Sequence, residues 1–216
     1  MSDLDLVKVI ASVCALIPAI VGHEIMHGWV AYKYGDSTAK SMGRLSMNPL
    51  VHIDPVGTLL IPAILYFTNA PFLFGWAKPV PVDMRIVVSR GGYGAAVAVS
   101  LAGITYNLIM AVLFATILPL FYPPQSITGV FLYIFVAQSV MLNVVLAVFN
   151  MWPIPPLDGS QALRYLAAKA GWRSFVDLYE KIYPYGMIIL VAVLFTPLSK
   201  LLFAPVGWIL QLIIPS

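Results

Sequence analysis

Residues 6–34, 93–122 and 129–152 are apolar over lengths that cross a hydrocarbon layer of about 30 Å, which takes about 20 helical residues at 1.5 Å each. In lipid every backbone N–H and C=O must be satisfied within the chain, so such stretches fold as helices. The composition agrees, with 61% hydrophobic and 10% charged residues, where soluble domains carry about 25% charged residues. Residues 185–196 and 198–214 form a weaker pair, parted by Pro197 and Lys200, and read as two short helices or one broken helix. Residues 57–69 are also apolar but span only about 20 Å and contain Pro62, which suits a re-entrant segment or half of a tight hairpin. The expected fold is therefore an all-α polytopic membrane protein. It has about five to six transmembrane helices and a re-entrant or β-hairpin-like segment between the first helix and the central helical hairpin.

The charges fit one topology. If residues 33–90 and 153–181 share a side, then Lys33, Lys40, Arg44, Lys78, Arg85, Arg90, Arg164, Lys169, Arg173 and Lys181 all lie there, ten of the twelve basic residues. Basic residues collect on the cytoplasmic side, which leaves Lys8 and Lys200 opposite. A formal charge of +3 so distributed excludes a nucleic-acid binder. The single cysteine, Cys14, excludes an internal disulfide and a cysteine metal cluster. The start, Met-Ser-Asp-Leu-Asp, has no basic region ahead of the apolar run and reads as leading into a first span rather than as a removed signal. Without repeats or a long linker, residues 1–216 read as one membrane-embedded domain, with a catalytic core over about 6–160 and accessory helices over about 183–215.

Inside the first apolar run stands His23-Glu24-Ile25-Met26-His27. Residues four apart share a helix face, so two imidazoles in an H-E-x-x-H string can hold one Zn²⁺ while the glutamate reaches the attacking water. Three histidines and two glutamates scattered over 216 positions produce this string by chance roughly 0.0004 times. Two histidines and a glutamate also suit a polar interhelical contact or a proton relay, yet ionisable groups at membrane depth are costly and functional by default. Measured from residue 34, the pair sits about 10–17 Å below the cytoplasmic end of its helix. A third ligand is drawn from His52, Asp36, Asp54, Asp83 and Asp158. Asp158 stands out, because Pro153, Pro155 and Pro156 unwind the chain before it and the topology returns it to the side where the first helix ends.

These residues resemble the site-2 protease family of intramembrane zinc metalloproteases over residues 22–159. The matching parts are His23 to His27; Asn48-Pro49 with His52-Ile-Asp54-Pro55-Val-Gly57-Thr58; Gly75-Trp-Ala-Lys78-Pro79-Val80; Ser100-Leu-Ala-Gly103 with Asn107; and Asn150 through Asp158-Gly159. The resemblance implies that one catalytic Zn²⁺ is held by His23, His27 and Asp158, that Glu24 is the general base, and that Asn150 holds the polarised substrate. It further implies the short class of that family, without a PDZ or CBS domain. One departure is Ile104, where such proteins commonly have proline after Ala-Gly.

The expected function is hydrolysis of peptide bonds in transmembrane helices of membrane-anchored substrates, with a zinc-activated water and Glu24 as base. The expected location is the plasma membrane of a prokaryote, with the site near the cytoplasmic side. Asn107, Asn143 and Asn150 are unusual at membrane depth; Asn150 and Asn107 are expected at the substrate, while Asn143 suits an interhelical bond. His52 is expected to support or gate the site. Segments between residues 41 and 74 are expected to offer strand edges to an unwound substrate. The alternative is an ion or proton transporter using the same His, Glu and Asp cluster, which predicts an inverted repeat or paired broken helices, and the sequence has neither.

Overall fold

The computed structural model describes residues 3–68 and 75–214. Of the expected boundaries, Asn69, Phe74 and residue 215 lie outside them. Helix α1 (Asp3–Lys33) buries Ala11, Ala15, Ala19, His23 and Ala31 at four-residue spacing, with His27 completing the stripe. Small residues let membrane helices approach closely. The stripe faces α3 (Met84–Ile117), whose Val99, Gly103, Asn107, Ala111 and Ala115 repeat the same interval and are all buried. Leu6, Val9, Ile10 and Val13 of α1 are exposed and suit contact with lipid. Helix α4 (Ile127–Met151) completes a three-helix core with α1 and α3. Its first turn is capped by the Ser126 hydroxyl, which accepts the Gly129 N–H at 3.1 Å.

Helix α3 begins at Met84 rather than at residue 93. The Asp83 carboxylate caps it by accepting the Arg85 N–H at 2.9 Å, and the bonded Arg85 side chain holds that carboxyl below its usual range. At Gly92 the backbone turns through φ 67°, so the apolar limb proper starts at residue 93. Helix α4 ends where Trp152 becomes extended, and the prolines that follow carry the chain to α5 (Asp158–Lys169), which packs on α3.

Residues Pro55–Leu60 form a wide helical turn that runs into α2 (Ile61–Phe67). No strand occurs among the described residues, so neither the hairpin-like option for residues 57–69 nor strand edges between 41 and 74 are present there. Beyond α5 come α6 (Arg173–Ile182), α7 (Gly186–Leu194) and α8 (Leu198–Ile213). Helix α8 rests on α4 through Val144, Val148 and Val206, and Trp152 Nε1 donates to the Leu202 carbonyl at 3.0 Å. Among the described residues three helices are long and apolar enough to cross a membrane, or four if the pair meeting at an 80° bend before α8 is counted as one span. The expected five to six are not reached among the described residues, where the break at 195–197 divides the last apolar stretch and the helical segment from Pro55 is short.

Candidate metal centre

His23 and His27 project one helical turn apart from α1 toward α3, their rings edge to face with centroids 4.9 Å apart. Gly103 makes the approach possible, since even a methyl group there would lie 2.5 Å from His23 Cε1 and His27 Nε2. His27 Nδ1 lies 2.7 Å from the Val99 carbonyl oxygen, which only accepts, so Nδ1 carries the proton. His23 Nδ1 lies 2.6 Å from Asn107 Oδ1 and donates in the same way. In the neutral rings that can ligate a metal both Nε2 atoms are then bare, and they face each other at 3.2 Å. Two lone pairs so placed repel unless a cation lies between them.

Asp158 supplies the third atom. It is the first residue of α5, and Leu157 before it provides no side-chain cap. Its carboxylate turns away to place Oδ2 at 3.1 Å from His23 Nε2 and 3.2 Å from His27 Nε2. Yet Oδ2 is buried and accepts no well-aligned hydrogen bond. Three donor atoms thus form a nearly equilateral triangle with edges of 3.1–3.2 Å. Tetrahedral bonds of ~2.0–2.1 Å set neighbouring ligand atoms about 3.3–3.4 Å apart, so one zinc ion fits over this triangle with a fourth position open. Among the described residues this is the one group of three or more such side chains close enough to hold a metal.

The other carboxylates are committed elsewhere. Asp36 accepts the Thr38 N–H at 3.0 Å and the Asp83 N–H at 2.7 Å. Asp54 caps the turn at Pro55 by accepting the Val56 and Gly57 N–H groups, and Asp83 caps α3.

Glu24, next to His23, is half-buried, and its Oε2 accepts the Val80 N–H at 2.9 Å. Val80 belongs to a strap over residues 75–83 that is neither helix nor strand. The Trp76 N–H donates to the Gly57 carbonyl at 3.1 Å and the Lys78 N–H to the His52 carbonyl at 2.9 Å. Buried Arg44 donates to the Lys78 carbonyl at 2.8 Å, and Asp36 holds the strap's far end. His52 is 3% exposed and its Nε2 donates to the Ser46 carbonyl at 2.9 Å. It stands under the strap and outside the ligand group.

Asn150 is half-buried near the end of α4, where its amide donates to the Leu146 carbonyl at 3.0 Å. The expectation of substrate contact from Asn107 does not fit its placement. The side chain has no exposure, and its amide is taken up by His23, the Ala19 carbonyl and Asn143. It faces the His23 ring instead. Sequence reasoning also missed the Val99 carbonyl, and it named Gly103 and Val80 only as parts of the resemblance, without a role. The signal for two of them is present, since 99, 103 and 107 share one face of α3.

No family model matches the chain, and no solved structure matches it. Curated relatives do. "Putative zinc metalloprotease YwhC" of Bacillus subtilis is 38% identical over 199 residues, covering 89% of this chain and 84% of the relative. "Putative zinc metalloprotease Rip2" of Mycolicibacterium smegmatis is 29% identical, with 86% and 67% covered. "Putative zinc metalloprotease MJ0611" of Methanocaldococcus jannaschii is 30% identical, with 76% and 74% covered. With this similarity running through most of its length and a triangle of ligand atoms fit for zinc, the chain belongs to the site-2 protease-like family of zinc metalloproteases.

Proposed function

We propose that the chain is an intramembrane endopeptidase of the site-2 type, a single membrane-embedded protease domain that cuts transmembrane helices of membrane-anchored proteins. Its place is the plasma membrane of a prokaryote, with the site near the cytoplasmic face. The observation that carries this reading is the convergence of His23, His27 and Asp158 on one point within an apolar helical core, with Glu24 on the same helix. Zinc, when bound there, polarises the scissile carbonyl and lowers the pKa of water.

The residues of the chain do the rest. Glu24 takes a proton from the water that attacks the carbonyl carbon. As the C–N bond breaks, it passes that proton to the leaving nitrogen and returns to the carboxylate. The Val80 N–H keeps the carboxylate oriented between these transfers. The hydrogen bonds at Nδ1 of both histidines hold the rings in place while charge develops. Asn150 is assigned to the substrate carbonyl, and His52 supports the strap behind Glu24.

The ion-path alternative gains no support, because the far sides of both imidazoles end on an amide and a backbone carbonyl rather than on another titratable group. Purified wild type and Glu24→Gln, each with and without a zinc chelator, are to be incubated with a panel of single-span helices in detergent. Cleavage by untreated wild type alone is expected. Cleavage that survives both the substitution and metal removal refutes the proposal.

A further inference from the structure

We propose that Asn143 is a positioning residue for the metal centre: acting through Asn107, and together with the Ala19 carbonyl, it fixes which nitrogen of His23 carries the proton and so how tightly the centre holds zinc. The inference rests on reading His23, His27 and Asp158 as the ligands.

The two ligand histidines are oriented by different means. His27 is fixed by a backbone carbonyl, that of Val99, which has one polarity and cannot turn over. His23 is fixed by a side-chain amide, which can present either an acceptor or a donor. Something must therefore decide which way Asn107 faces. Asn107 Nδ2 donates to the Ala19 carbonyl at 3.1 Å and to Asn143 Oδ1 at 2.8 Å. A flipped amide would press Oδ1 against both of those oxygens and turn Nδ2 toward His23. The donor is thus locked in place, and Oδ1 must face His23 Nδ1.

Asn143 is itself directional. It is 2% exposed, and its Nδ2 donates to the Ser139 carbonyl at 2.8 Å, a backbone acceptor that leaves only Oδ1 for Asn107. Polarity therefore runs one way, from the α4 backbone through two amides to a proton on His23 Nδ1 and a bare Nε2. Without the Asn143 acceptor, Asn107 loses one of two reasons to keep its orientation. A flipped Asn107 would offer a donor to His23 Nδ1 and drive the ring proton onto Nε2, where it blocks the cation.

The test uses the full chain in detergent. Zinc affinity is measured by competition with a chromophoric chelator, and ligand geometry by the visible absorption of the cobalt-substituted protein. Asn143→Leu keeps the branched shape and removes the acceptor. Asn143→Asp, protonated in this buried setting, offers a carbonyl to Asn107 and a hydroxyl to Ser139. Groups behind metal-bound histidines typically govern about 10–100-fold in affinity, so Asn143→Leu is expected to weaken zinc about tenfold or more and to dim the tetrahedral cobalt bands, with Asn143→Asp within about threefold of wild type. Should Asn143→Leu not fold, Asn143→Ala carries the same expectation with less bulk. A bond that only glued α4 to α3 would alter unfolding and leave zinc affinity unchanged, and unchanged affinity in Asn143→Leu or Asn143→Ala overturns the proposal. So does an Asn143→Asp protein as weak as Asn143→Leu. A wild type that binds no zinc would instead overturn the ligand reading beneath it.

Discussion

Replacing Gly103 with alanine tests how closely α3 must approach the histidine pair. The added methyl would sit 2.5 Å from His23 Cε1 and from His27 Nε2, and 2.6 Å from His23 Nδ1. To regain ordinary contact at 3.4 Å, each ring must retreat by about 0.9 Å, nearly half the length of a zinc–nitrogen bond. The retreat also stretches the Nδ1 bonds to Asn107 and Val99, since both partners lie on the helix that pushes. Misplacement of about 1 Å at a reacting centre costs about 10²-fold, so kcat/KM is expected to fall at least that far, with zinc retention falling in parallel. The matched control is Gly94→Ala on the same helix, where a methyl would meet only Lys169 Nζ at 3.9 Å. Both substitutions gain about 0.5–1 kcal/mol of helix propensity, so the loss cannot be assigned to a weaker helix. Metal analysis of the purified proteins and cleavage of one model helix provide the assay. A Gly103→Ala protein that keeps full zinc and cleaves as fast as Gly94→Ala would refute the reasoning.

Val80→Pro removes the amide hydrogen that Glu24 accepts while leaving the three ligands untouched. Hydrogen bonds to charged groups are worth about 1.5–3 kcal/mol, so kcat is expected to drop roughly 10–100-fold with zinc content preserved; equal kcat would free Glu24 from the strap. Zinc at about 100 times its Kd should stabilise the folded chain by about 2.7 kcal/mol, read as a chelator-sensitive Tm. Asp158→Asn should abolish most of that shift, and a shift of wild-type size would remove Asp158 from the ligand set.

Legibility in the sequence followed chemical type. The histidine pair was readable because a four-residue interval places both rings on one face, and Asp158 because three prolines forbid helix ahead of it. The small-residue stripes on α1 and α3 were equally present in the sequence, but their partnership depends on how two helices cross. Asn107 shows the same limit: spacing alone cannot tell a side chain facing substrate from one facing a ligand ring. The start of α3 was missed because Arg85, Ser89 and Arg90 disguise its first turns as loop, although the Gly92 kink falls just ahead of residue 93. The Val99 carbonyl and the Val80 N–H are backbone groups and leave no mark on side-chain pattern.

Pro79 and Pro81 flank Val80, so this stretch of the strap owns a single amide hydrogen, and Glu24 already holds it. Apart from that hydrogen the stretch has only carbonyl oxygens, and those of Lys78 and Pro79 already accept from Arg44. The stretch is thus an acceptor-only rail, unable to complete the reciprocal ladder by which two chains zip together. A peptide that lay along it would be held only through its own N–H groups, which a helix surrenders when it uncoils.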